Sequence, residues 1–231
     1  MSKKEIQAEG LIGKVLMPVD LDALDGLIAN LGEKSENLSD TDRAAASRII
    51  DEWLAAIEDR IRYNAATARE MLSFLENEPM GGEAVSNCAG MLHGITGDTP
   101  EYLAYEKALH EAMDIRSDRP IARHATSETT VLDAVHVDKE NRAEFLAWKR
   151  SLAAADMHYA HAVKDYARSV TAMPGISDAM KGLRTYAKSS SRMVKDCRDR
   201  AERTKVNLQS NDPGTRALLH ELLDFARTLE K

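Results

Sequence analysis

The chain has 231 residues, of which 43% are hydrophobic, 30% charged and 5% aromatic, and its formal net charge is −7. That length can bury the core of one large domain or two small ones, and the aliphatic content excludes wholesale disorder. No apolar run approaches about 18 residues, which argues against a membrane-spanning helix, and Met1–Gly10 has lysines with no apolar stretch behind them, unlike a secretory signal.

The two cysteines, Cys88 and Cys197, stand far apart and form no CxxC pair. This fits a reducing, cytoplasmic compartment better than a disulfide framework or a cysteine-rich zinc site. Apolar spacings of three and four dominate the chain, and no segment alternates as a strand would. The fold class read from this pattern is all-α.

Residues 1–38 are expected to form an N-terminal tail with one short helix, capped by Asp20 and carrying Leu21, Leu24, Leu27, Ile28 and Leu31. Residues 39–231 are expected to form a single helical bundle domain. Ser39 or Asp40 caps a long helix predicted over about 41–77. Its seam runs through Ile50, Leu54, Ile57, Ile61, Asn64, Ala68, Met71 and Leu75. Such a helix would be about 55 Å long. Pro79-Met80-Gly81-Gly82 ends it. Residues 83–98 read as a short helix and a glycine-rich loop. Thr99-Pro100 is a helix start, opening a segment to about Asp114 with Tyr102, Leu103, Tyr105, Leu109, Ala112 and Met113 available for burial. A connection around Pro120 is followed by a helical pattern from Ser127 and Glu128 through Val131, Leu132 and Val135.

The second long helix, 139–173, holds a strict heptad phase through Phe145, Trp148, Leu152, Ala155, Tyr159, Ala162, Tyr166, Ser169 and Met173. After Pro174-Gly175 a third, 176–209, carries a small and partly polar seam: Ile176, Met180, Leu183, Ala187, Ser190, Val194, Cys197, Ala201, Thr204 and Leu208. Asp212-Pro213 caps a last helix. The short 174–175 link predicts an antiparallel hairpin, with the first long helix packed on it, so the expected architecture is an elongated bundle with coiled-coil character.

Charge is unevenly placed. Between Ile176 and Val206 nine cations oppose four acids, so this segment carries +5 and the remainder −12. Residues 40–78 carry nine acids against five arginines. Either the basic helix pairs with acidic helices of its own fold or of a second copy, or it faces solvent and neutralises phosphates. Its candidate contact residues are Lys181, Arg184, Lys188, Arg192, Lys195, Arg198 and Arg203. An anionic membrane surface is a third possibility, weakened by the absence of Trp and Phe from the apolar side.

The search for reaction chemistry finds fragments. No Glu-x-x-His motif occurs; Asp133 and His136 have the spacing with the wrong acid, and Glu106 and His110 lie four apart. These four residues are the weak metal candidates, and no cofactor is expected. His158 and His161 read as flanking residues of the heptad seam. The run Gly90–Asp98 has no GK[ST] and no Gly-x-Gly turn, so neither phosphate-loop motif is met. Asn64, alone in an apolar seam, either fixes register or turns to water. The expected function is a non-catalytic helical interaction or assembly protein, acting through heptad seams as a homo-oligomer or with a helical partner. The alternative is a nucleic-acid-associated protein using the basic helix, and the third reading is a metal-binding bundle enzyme.

Overall fold

The structure, a computed structural model, is described for residues 6–18, 20–32, 38–120, 142–210 and 214–229. These residues form eight helices and no strand: α1 (Ala8–Val15), α2 (Asp22–Gly32), α3 (Asp40–Leu75), α4 (Gly82–Thr96), α5 (Pro100–Ser117), α6 (Arg142–Thr171), α7 (Ile176–Ser210) and α8 (Thr215–Thr228). The protein is all-α. None of these helices is long and apolar enough to cross a membrane.

Helix ends follow local chemistry. Ser39 caps α3: its hydroxyl accepts from the Asp42 N–H at 3.1 Å and donates to the Asp42 carboxylate at 2.8 Å. Thr99 caps α5 by accepting from the Tyr102 N–H at 3.1 Å, with Pro100 in the first turn. α3 stops two residues short of the predicted 77 because Asn77 takes φ 59. The N–H groups of Asn77 and Glu78 then close back on Phe74 and Ser73, as in a Schellman end.

Residues 83–98 differ from the expected short helix and glycine-rich loop. α4 continues through Gly90 and Gly94 to Thr96, and only 97–99 form a loop. The helix persists because Val85, Cys88, Ala89 and Leu92 supply a buried stripe, so packing outweighs the helix-weakening glycines. Gly97, at φ 66, ends it in a conformation that few other residues adopt.

The chain divides into two compact units, residues 1–6 with 73–174 and residues 7–72 with 175–231, a division that does not fall at residue 38. α6 and α7 belong to different units. In the first, α5 and α6 pack antiparallel: Arg116 donates to Asp156 at 2.6 Å, and the Trp148 indole N–H donates to the Ile115 carbonyl at 2.6 Å. Ala108, Ala112, Ala155 and Ala162 are buried and let the helices approach closely. Tyr166, fully buried, is the hub of a ring cluster with centroids of Phe74, Tyr102 and Tyr105 at 5.4–6.1 Å. The second unit buries an aliphatic core from α2, α3, α7 and α8, including Leu24, Ile50, Ile57, Ile61, Leu208, Leu219 and Leu222. The α3 seam is buried as predicted except that Leu54 is only partly covered, with Trp53 buried beside it.

A basic groove as the candidate functional site

Asn64 is 2% exposed and hydrogen-bonded within its own unit. Its carboxamide accepts from the Met17 N–H at 3.0 Å and donates to the Met17 carbonyl at 2.9 Å. This two-way bond satisfies a backbone pair just beyond α1 and sets where that segment lies on α3. The Tyr186 hydroxyl stands 3.5 Å from the same amide. Burial pushes the Tyr186 phenol up, partly offset by its bond with Asn64.

The basic residues of α7 divide by position. Towards the C-terminal end two of them, Arg198 and Lys205, pair with carboxylates of α3. The Arg198 guanidinium grips the Glu58 carboxylate through Nε and a terminal nitrogen. That bond holds the Glu58 carboxyl below its usual range against the opposing effect of burial, with the charges of Arg198 and Arg62 adding to it. Lys205 contacts Asp51 at 2.8 Å and Glu202 at 2.7 Å, and these bonds raise its ammonium. Arg203 is exposed, its Nε donating to the Asp199 carbonyl at 3.3 Å.

Towards the N-terminal end the pattern changes. Lys181, Arg184, Lys188, Arg192 and Lys195 are all exposed. At 100° per residue their positions fall on one face of α7. The Arg192 contact with Asp196, at 3.7 Å, stays on the same helix and leaves the arginine side chain 85% exposed. Among the described residues, no carboxylate from α3 meets Lys181, Lys188 or Lys195. A surface pair such as Arg192–Asp196 contributes little and is screened by salt.

A groove of about 300 Å³ lies beside this face, lined by Ile61, Arg62, Ala65 and Arg69 of α3 and by Ser190, Ser191 and Val194 of α7. No carboxylate lines it. Arg69 is anchored by donating to the Ala187 carbonyl at 3.3 Å, while Arg62 contacts Glu58 at 3.0 Å and Asp59 at 3.6 Å and keeps 59% of its side chain exposed. The small Ala65 and Ser191 keep the groove open. Thus α3, acidic as a whole, contributes cations at the very place where α7 is most basic. Sequence reading placed neither Arg62 nor Arg69 in the site. Their seven-residue spacing at the seam edge, flanking Ala65 and Ala68, is the signal that carries them.

The other sequence candidates lie apart. On α5 His110 is exposed and Glu106 partly covered. Among the described residues, no three His, Cys, Asp or Glu side chains are grouped as a metal site would require. Asp133 and His136 lie outside the described residues. His93 contacts Asp98 at 2.8 Å and stacks on Tyr102 at 3.9 Å, which caps the aromatic cluster. Both cysteines are buried, and burial pushes the Cys197 thiol up to about 12, with Glu58 and Asp196 adding to the shift. It is protonated and inert at neutral pH. No family model matches the chain, and no curated protein or solved structure is significantly similar to it.

Proposed function

We propose that this chain is a non-catalytic helical binding protein whose working surface is the basic face of α7 with the neighbouring arginines of α3, and that its partner is polyanionic. The observation that carries this reading is the split along α7. Arg198 and Lys205 meet carboxylates of α3, Glu58 and Asp51, whereas among the described residues Lys181, Lys188 and Lys195 are exposed and meet no carboxylate of α3. Lys181, Lys188 and Lys195 recur at seven-residue spacing on the exposed face of α7, and a partner that brings anions to them adds contacts that α3 does not supply. Two buried cysteines with no CxxC spacing are consistent with a reducing, cytoplasmic setting.

Titration with heparin and with poly-L-glutamate at low and at physiological salt tests the reading. Binding at low salt is expected, weakening steeply as salt rises and weakened further in Lys188→Glu, Arg192→Glu, Lys195→Glu. A wild-type protein that binds neither polymer at low salt overturns it.

Assembly is a second reading, favoured by the first half of α6. Phe145, Trp148 and Leu152 are only half-buried there, and Leu146 and Met157 are 44% and 63% exposed. Leu146 and Met157 share a face of α6 turned away from the heptad seam, and a second copy covering this face would pack helix against helix there. Light scattering at micromolar concentration is expected to show a mass above the monomer that falls in Leu146→Glu. A monomer throughout excludes it.

A further inference from the structure

We propose that the groove between α3 and α7 holds a run of the sugar-phosphate backbone of a nucleic acid, gripping phosphates without reading bases; the proposal rests on the polyanion reading above and names the partner. Three features of the site favour this occupant over an acidic protein.

The first is the donor set. Arg62 and Arg69 stand on one wall of the groove and Ser191 on the other, and Lys188 and Lys195 lie one residue beyond Ala187 and Val194 on α7. Guanidinium forks match the oxygen geometry of a phosphodiester, and lysines supply mobile point charges beside them.

The second feature is extent. Lys181 to Lys195 covers four turns of α7, about 21 Å, and all five cations of this stretch are exposed. A rigid strip of that length faces several successive phosphates of one strand, whereas a single small anion would use only a fraction of it.

The third is what the face lacks. Among the described residues the exposed large apolar side chains of this unit, Met17, Tyr63 and Val206, do not line the groove, so a helical protein has no exposed apolar anchor there. Tyr186 is half-buried, with its hydroxyl turned to Asn64. No aromatic platform is offered on which a base could stack. Contact is therefore with the backbone, and affinity follows counterion release.

Fluorescence anisotropy with a labelled 20-nucleotide single strand and the matching duplex, in DNA and in RNA, tests this alongside the poly-L-glutamate titration. Neutralising about four phosphates gives a log–log salt slope of about −3 to −4, or roughly a hundredfold loss between 50 and 200 mM salt. Affinity should be indifferent to sequence. Lys188→Glu with Lys195→Glu, both at exposed positions that leave the fold intact, should weaken binding at least tenfold and flatten the slope. Arg69→Gln should act in the same direction. Lys107→Glu, an equal change of charge on exposed α5, should leave binding unchanged. Binding of poly-L-glutamate but of no nucleic acid overturns this inference and leaves the polyanion reading standing. Binding of no nucleic acid, no poly-L-glutamate and no heparin overturns both. An effect of Lys107→Glu equal to that of Lys195→Glu overturns the groove as the site.

Discussion

The two units reach the same helical architecture with different interiors. Residues 73–174 are organised around tyrosines: Tyr166 is surrounded by Phe74, Tyr102 and Tyr105, and its hydroxyl meets Thr96 at 3.4 Å. Residues 7–72 with 175–231 are organised around leucine and isoleucine and pinned by two polar clamps, Asn64 on Met17 and Glu58 with Arg198. An aromatic centre gains specificity from ring geometry. Aliphatic seams slide more readily, and buried polar pairs fix their register. The polar clamps of the second unit therefore do what ring packing does in the first.

Core truncation should produce the largest effects and shows whether the aromatic and aliphatic centres are equally demanding. Tyr166→Ala and Ile57→Ala, at fully buried positions, should each cost about 2–5 kcal/mol in urea unfolding. Tyr166→Phe should cost less than about 1.5 kcal/mol, since among the described residues its hydroxyl makes only the long contact with Thr96. A Tyr166→Phe loss as large as that of Tyr166→Ala would mean that the hydroxyl, not the ring, organises the first unit.

The clamps come next. Asn64→Ala strips both partners from the Met17 backbone and should cost about 1–3 kcal/mol, with faster amide exchange at Met17. Asn64→Leu, which restores volume but not the bonds, should recover little of that loss. Full recovery would show that the site needs only bulk.

pH acts with opposite sign on the Glu58 clamp and on two tyrosines of the first unit. Glu58 has a carboxyl pKa below its unfolded value of 4.5, so its contribution is complete above that pH and fades as pH falls through the lowered folded value. Glu58→Gln should lower the melting temperature at pH 7 and make no difference near pH 2. Tyr159 and Tyr166 run the other way. Burial lifts both phenols from 10.0 to about 12, so their contribution is full below pH 10 and is lost as pH rises from 10 to 12. Tyr159→Phe should flatten the alkaline limb of the stability profile. The smallest expected effect is chemical: Cys197 should resist a thiol reagent at pH 8 in the native protein and react once it is unfolded.

Much of this was legible beforehand because helical periodicity is a local signal. Of the seam read for α7, Ile176, Leu183, Ser190, Cys197, Ala201, Thr204 and Leu208 are buried, while Met180, Ala187 and Val194 are half-buried. Thr99 and Ser39 announce their helices by short-range hydrogen bonds. The fate of 83–98 was not legible: a segment holding Gly90, Gly94 and Gly97 has weak helical preference, and its helix depends on neighbours that bury Cys88 and Leu92. The half-exposure of Trp148 was hidden too, since a heptad phase specifies a face but not what covers it.

The sequence by itself determined that the chain is helical, where most helices begin and end, and that α7 is basic, because spacing, capping and charge are properties of a chain read locally. Only the tertiary structure decided how the +5 segment is used. Which cation meets a carboxylate depends on residues more than a hundred positions apart, as with Glu58 and Arg198. The same packing carries Arg62 and Arg69, from a helix that reads as acidic, to the basic stretch of α7. Electrostatics falls off with distance in space and not along the chain, so the groove exists only once the helices are packed.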